Sequence, residues 1–291
     1  MATLQKMNGS FSGQVGQFVK PEYGHAKESS DLSKIEVKSD NPFELFKEWY
    51  KMAQDAGVIM PHAMNVATSD GRGRVSGRTL LMRKLVDDGF LLMTDKRSKK
   101  SFDIELCPRV ALTFLWMYAR DSHGINAQQV RVEGTITELP FQQHPEIFEN
   151  EPLFCMIRAN ICRQGEYVEW SELKEAHDKL YKQCVEEGIP DKLKEPPNHY
   201  VMYKVVPEMM DFYLATDSSV GDRVVFRRTD QPNLIPDKAL KTHLSGDEPK
   251  GHNGVDDLER TFKNGLKIVT GNEQGVAEKA LKEWCHYHVC A

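Results

Sequence analysis

The sequence predicts a mainly β, α+β fold: a closed or split β-barrel with helices packed on it. Three observations carry this reading. Six or seven segments have the length and alternation of antiparallel strands, bounded by turn sequences. The helical segments come as insertions and do not alternate with the strands, which argues against a parallel nucleotide-binding sheet. No Gly-rich phosphate loop is present. A chain of 291 residues can bury a sizeable core, and 40% hydrophobic with 28% charged residues is ordinary for a soluble globular protein. A net charge of -5 gives no general attraction to nucleic acid or anionic membranes.

The elements follow in order. Residues 1–39 are polar, rich in Gly, Ser and Lys, and lack periodicity, so they read as a flexible arm before a domain spanning 40–291. Helix begins at DNPFELFKEWYKMAQDAG, with Asn41 as cap, Pro42 in the first helical position and Glu44 placed for a capping box. Phe43, Phe46, Trp49 or Tyr50, and Ala53 form its apolar stripe, and Gly57 can end it. HAMNVAT (62–68) and RTLLMRK (78–84) flank the turn SDGRG and read as a hairpin, followed by a strand at 90–95. SKKSFDIEL (98–106) reads as a short helix stopped at Cys107-Pro108. A buried strand at 109–118, a polar loop ARDSHGINAQ and an alternating strand at 129–139 come next. Residues 141 to about 187 read as helical, and strands return at 200–206, 209–215 and 222–228. Residues 229–263 read as a long exposed loop.

The N-terminus has no apolar stretch of signal-peptide length, and no apolar run approaches a membrane span, so a cytosolic protein is expected. The six cysteines include no C-x-x-C pair and read as free thiols. Basic residues gather near strand ends. Lys99 and Lys100 open a short helix whose first amides point outward, a good phosphate cradle, or simply a solvated basic turn. Gln129, Arg131 and Glu133 share one strand face. Arg131 with Glu133 can equally be a surface ion pair, and Arg223, Arg227 and Arg228 on the late strand can equally be in cross-strand pairs.

The stretches NPFELFKEWYKMA, AMNVATSDGRGRVSGRTLLMRK, DDGFLLMTDKRSKKSFDIEL, QVRVEG and DRVVFRR occur in one order and spacing. In this the chain resembles the pyridoxamine 5'-phosphate oxidase family over roughly residues 40–230 and again in its tail. The resemblance implies an FMN-binding split barrel, a homodimer with flavin at the subunit interface, and a small-molecule substrate. It places flavin contacts at Arg78, Thr79, Leu80, Leu81, Thr94, Lys99, Lys100, Gln129, Gln164, Tyr213 and Arg223. Lys99 stands where the family has Arg, losing the guanidinium fork. Gly165 stands for a Ser, and Tyr213 for a Trp.

The family's substrate contacts are less well kept. The Lys, Tyr, Arg and Ser that hold the substrate phosphate fall at Arg83, Ile147, Glu151 and Cys155, and the Arg and His beside the pyridine ring fall at Ser219 and Gly221. Arg to Glu turns attraction into repulsion, worth on the order of 4 kcal/mol per unit charge at contact in a partly screened site. The expected activity is an FMN-dependent oxidation with a changed donor, ordinary B6-phosphate oxidation being weak or lost. Two alternatives stay open: a non-catalytic FMN- or B6-binding protein, and a true B6-phosphate oxidase with a rearranged pocket. No catalytic base is assigned; His62, Cys155, Tyr213 and Arg83 are pocket candidates by the resemblance alone. The stretch 119–128 is longer than the family connection and leads to Gln129.

The tail WCHYHVCA carries Cys285, His286, His288 and Cys290. In a strand, His286, His288 and Cys290 share one face and Cys285 points away, so four ligands do not converge and no metal site is expected. Within 281–291 the segment instead matches the family's W-x-x-x-R-L-x-P ending, with His288 at the Arg.

Overall fold

A computed structural model describes residues 31–119, 124–216, 219–229 and 283–289. Its centre is helix α1 (Pro42–Asp55), laid across an antiparallel sheet. The Asn41 side chain accepts the Phe43 N–H at 3.0 Å, as a cap should. The capping box is not made: Glu44 turns to Lys47 at 2.9 Å, and the Asn41 N–H goes to Ser39 Oγ at 3.1 Å. After Ala56, Gly57 takes φ +73°, the left-handed conformation that ends the helix. The buried stripe is Phe43, Leu45, Phe46, Trp49 and Ala53. Phe46 is fully buried, with edge contacts to Phe90 at 5.0 Å and Phe114 at 5.1 Å. Burying such a ring stabilises the fold by about 2–3 kcal/mol.

The strands are β1 (Asp31–Leu32), β2 (Ala63–Ser69), β3 (Val75–Leu81), β4 (Lys84–Val86), β5 (Gly89–Asp95), β6 (Arg109–Ala119), β7 (Ile125–Leu139), β8 (Tyr200–Thr216), β9 (Ser219–Val220), β10 (Asp222–Arg228) and β11 (Trp284–Val289). The main sheet runs β11-β10-β8-β7-β6-β2-β3. β5 pairs with β4 and with β8. The seam closes at Met82 and Arg83, between β3 and β4. The Met82 N–H reaches His62 O at 2.8 Å on the β2 side, and the Arg83 N–H reaches Leu91 O at 2.8 Å on the β5 side.

The two late strands expected at 200–206 and 209–215 are one strand, β8. One of its edges is paired along its length with β7, and its other edge is shared by β5 and then β10. The break expected near Pro207 is instead a register shift opposite Glu133 and Gly134. A Cβ on Gly134 would stand 2.2 Å from Val206 O, so glycine lets the two strands meet there.

The helices are α2 (Lys99–Leu106), α3 (Glu146–Glu149), α4 (Leu153–Ile161), α5 (Trp170–Glu186) and α6 (Asp191–Lys194). The helical block expected from Phe141 to about Glu187 is interrupted: α3 and α4 are short pieces with Pro145 and Pro152 at their starts, while α5 keeps 17 residues. Of the polar loop expected at 119–128, the ends are strand: β6 runs to Ala119 and β7 begins at Ile125, and Asn126 pairs with Thr216. Residues 31–39 of the expected arm lie against the sheet. Asp31 and Leu32 pair in parallel with Ser219 and Val220, and Ile35 is buried in the main core. The arm expected over residues 1–30, the loop expected over 230–263 and Cys290 lie outside the described residues.

β11 returns beside β10, Trp284 opposite Arg228, and the Thr229 N–H meets Glu283 O at 3.1 Å. Among the described residues no helix is long and apolar enough to cross a membrane.

Candidate functional site

Three groups of side chains hold the residues singled out in the sequence. The first is a cationic cradle at the middle of β3, the end of β5 and the start of α2. Arg78 donates to Thr68 Oγ1 at 2.8 Å and Val66 O at 3.1 Å, and lies 4.0 Å from Asp103. Lys99 opens α2 and binds both Asp103 oxygens at 2.9 Å, one turn along the helix. Lys100 is about nine-tenths buried, and its amine donates to Thr94 Oγ1 and Gln164 Oε1, each at 2.9 Å.

Both bonded partners of the Lys100 amine are neutral, and burial, then the charge of Arg78, pull its pKa down to about 8. The Asp103 carboxyl is pushed up by burial, but bonds from Lys99 and Thr68 and the charge of Arg78 hold it below the usual range. It thereby engages Lys99 and part of Arg78. Lys100 has no such carboxylate bonded to it. Two buried-side cations, one with only neutral acceptors, are a donor set that fits a phosphate-bearing group.

The second group lies on the sheet face turned away from α1. Gln129, Tyr213 and Arg223 stand in one row across β7, β8 and β10. The next row holds Thr79, Asn65, Thr113, Arg131, Asp211 and Val225. Leu81 has the same parity as Thr79, whereas Leu80 packs toward the core. Arg223 grips Asp211 with two bonds of 2.9 and 2.6 Å, and Arg131 reaches Asp211 at 3.1 Å and Glu133 at 2.9 Å. Asp211 was not anticipated, because only the strand register puts it between two arginines. Leu115 and Met117 on the same face are 56% and 58% exposed, so this face of a single chain is partly apolar and open.

The third group sits beside the seam. Arg83 holds Glu151 in a paired contact of 2.7 and 3.1 Å. The Glu151 side chain is only 4% exposed, and that of Arg83 20%. The neighbouring Cys155 thiol is buried; burial and the bond to Glu151 raise its pKa, so it stays protonated and is a poor base. Ile147 belongs to a second hydrophobic cluster with Leu91, Met93, Phe148 and Met202. Ser219 and Gly221 lie elsewhere, at the corner between β8 and β10. Ser219 Oγ contacts Ser33 Oγ and Thr216 Oγ1, and a Cβ on Gly221 would fall 2.8 Å from the Tyr213 ring. The six diverged positions are therefore split between two places in one chain.

In the tail, His286 lies 3.5 Å from Asp40 and His288 3.0 Å from Asp222. Among the described residues no group of His, Cys, Asp and Glu gathers as metal ligands.

An antiparallel barrel closed at Met82 and Arg83, with a cationic cradle on one side and an open sheet face on the other, defines a split-barrel protein. Comparison with known proteins narrows this. The family described as Pyridoxamine 5'-phosphate oxidase matches residues 51–177. A pyridoxine/pyridoxamine 5'-phosphate oxidase of Neisseria gonorrhoeae is 32% identical over 69% of this chain and 91% of its own length. The enzyme of the same name from Salinibacter ruber is 32% identical over 73% of this chain and 92% of its own. Among solved structures, PhzG from Burkholderia lata in complex with tetrahydrophenazine-1-carboxylic acid has the same fold (TM-score 0.58, 22% identity, 69% of this chain and 94% of that one). A pyridoxamine 5'-phosphate oxidase-related, FMN binding protein of Nostoc punctiforme follows (TM-score 0.50, 17% identity, 65% and 93%). The chain belongs to the pyridoxamine 5'-phosphate oxidase family.

Proposed function

We propose that this protein is an FMN-dependent oxidoreductase whose donor pocket no longer accepts ordinary vitamin B6 phosphates. The flavin reading is supported by the cradle. Lys100, Arg78, Thr94 and Gln164 would hold the cofactor phosphate, and Lys99 would add charge at the rim. When bound, the flavin supplies the two-electron redox chemistry. The chain's part is to fix its orientation and to select the donor. Gln129, Tyr213 and Arg223, with Thr79 and Leu81, would line the ring side. These two halves of the expected flavin set lie on different faces of one chain. A homodimer, with the open face around Leu115 and Met117 covered by a second copy, brings them to one ligand.

The altered pocket rests on one observation, the paired contact of Arg83 with Glu151. Arg83 is the residue at the family's phosphate-binding lysine, and its charge already has a partner. A phosphate ester entering there must displace a buried carboxylate. Leaving a buried charge unpaired costs about 3–5 kcal/mol, and repulsion between two anions adds to that. A donor without an anionic group at this end meets no such barrier. Cys155, buried beside the pair, and Ile147, buried in the second cluster, offer no strong donor to a phosphate.

The test is anaerobic mixing of the purified protein with pyridoxamine phosphate while the visible flavin band is followed. We expect the band to be present and to stay. Bleaching at a rate comparable to turnover would mean that the pocket still oxidises B6 phosphates, as the names of the relatives suggest, and would sink this reading of Glu151. Protein that holds no flavin after reconstitution would sink the cofactor assignment instead.

A further inference from the structure

Asp222 joins three separate parts of the chain. Its Oδ2 accepts the Ile35 N–H at 2.6 Å; its Oδ1 accepts the Arg223 N–H at 2.7 Å and lies 3.0 Å from His288 Nδ1. Its side chain is 12% exposed, so these contacts are made largely out of water. Residues 31–35 are laced to the same corner by further bonds. The Ser33 N–H meets Val220 O at 2.9 Å, Ser33 Oγ meets Ser219 Oγ at 3.1 Å, and Ser219 Oγ meets Thr216 Oγ1. Ile35, with 3% exposure, anchors the segment in the main core.

What this junction fixes is the corner that carries Tyr213 and Arg223. Arg223 directly follows Asp222 and stands opposite Tyr213 across the β8–β10 ladder. The Tyr213 ring rests on Gly221, where an added Cβ would stand 2.8 Å from Cε2 and 2.9 Å from the hydroxyl. The ring's position therefore depends on where the backbone of 221–222 is held. That backbone is held from one side by the N-terminal segment and from the other by β11, and the Asp222 carboxylate takes part in both holds beside the backbone pairing.

We propose that Asp222 is a positioning residue: it fastens the 31–35 segment and β11 to the corner bearing Tyr213 and Arg223, and so sets how firmly a flavin ring is held there. The last clause rests on the flavin reading above; the fastening does not. Asp222 touches neither the cradle nor the Arg83–Glu151 pair, so it acts on ring-side contacts alone.

The experiment compares the full-length wild type with D222A and D222N. Three quantities are read: amide hydrogen exchange at Ile35, Tyr213 and Arg223; FMN affinity by fluorescence quenching; and inorganic phosphate affinity as a report on the cradle. In D222A, exchange at all three amides is expected to quicken and FMN affinity to fall roughly tenfold, the loss of one charge-assisted bond network. Phosphate affinity is expected to be unchanged. D222N keeps an acceptor oxygen and should recover part of both effects, and it serves as the test variant if D222A does not fold. Quickened exchange at Ile35 alone, with FMN affinity at the wild-type value, would make the junction a structural fastener only and overturn the positioning role. Wild-type exchange in D222N and D222A would overturn the fastening. If the wild type binds phosphate but no FMN, the cofactor reading fails, while exchange at Ile35 and Tyr213 still decides the fastening.

Discussion

The cradle and the seam are each built round a cation, and they treat it in opposite ways. At the cradle Lys100 is buried against two neutral oxygens, with Arg78 nearby raising the cost of its charge. At the seam Arg83 is buried against Glu151, which completes it. The first arrangement is unstable by itself and improves when an anion arrives. The second is satisfied by itself and worsens when one does. The same two ingredients, burial and positive charge, thus leave an amine without a carboxylate partner in one place and give a closed ion pair in the other, and the deciding residue is a single carboxylate.

The comparison breaks most visibly in stability. Arg83→Met leaves Glu151 as a buried, unpaired carboxylate and should lower the unfolding free energy by about 3 kcal/mol or more. Chemical denaturation of the cofactor-free protein measures this; an unchanged midpoint would mean that the pair is not intact in solution. Lys100→Met, the matching change at the cradle, should leave that midpoint the same or raise it. Its cost should appear in FMN affinity instead, as a loss of roughly 10–100-fold, the worth of a charge-assisted bond to phosphate.

A smaller effect sharpens the contrast through pH. In the cofactor-free protein Lys100 is held near 8, below its usual 10.5, so the fold binds fewer protons than the unfolded chain between those values. Stability of the empty protein should therefore gain a contribution as pH rises from about 8 to 10.5. FMN affinity should move the other way: full below about 8, then falling by up to tenfold per pH unit as the amine loses its proton. Titration of the dissociation constant against pH checks this, and Lys100→Met should flatten the profile. The smallest effect belongs to the exposed pair of Lys96 and Glu138, 2.9 Å apart with side chains 44% and 54% exposed. Glu138→Ala should give no resolvable shift in the midpoint, because solvent already screens such a pair.

Much of the barrel was legible because its signals are local. The Asn41 cap, the stripe from Phe43 to Ala53, and the Cys107-Pro108 stop all act within a turn or two of chain. What was not legible depends on pairing between distant strands. Pro207 read as a break, yet β8 continues through it, because Gly134 on the neighbouring strand makes room. The stretch 119–128 read as a loop because it is polar, yet pairing of β6 with β7, and of β7 with β8, draws its ends into strands. The flavin set could be carried over by resemblance, but not its division between two faces. The sign change at Glu151 was legible as a loss; that it closes on Arg83 needed coordinates. Ile147, a pocket position by the resemblance, packs in the second cluster.

The ends of the excursion from Thr229 to Glu283 are tied by one backbone bond, and the strands on either side are in register from Arg228 and Trp284 onward. The β10–β11 ladder thus joins two segments far apart in sequence. The entropy of closing such a separation grows only with its logarithm, so distance along the chain costs the sheet little at this edge.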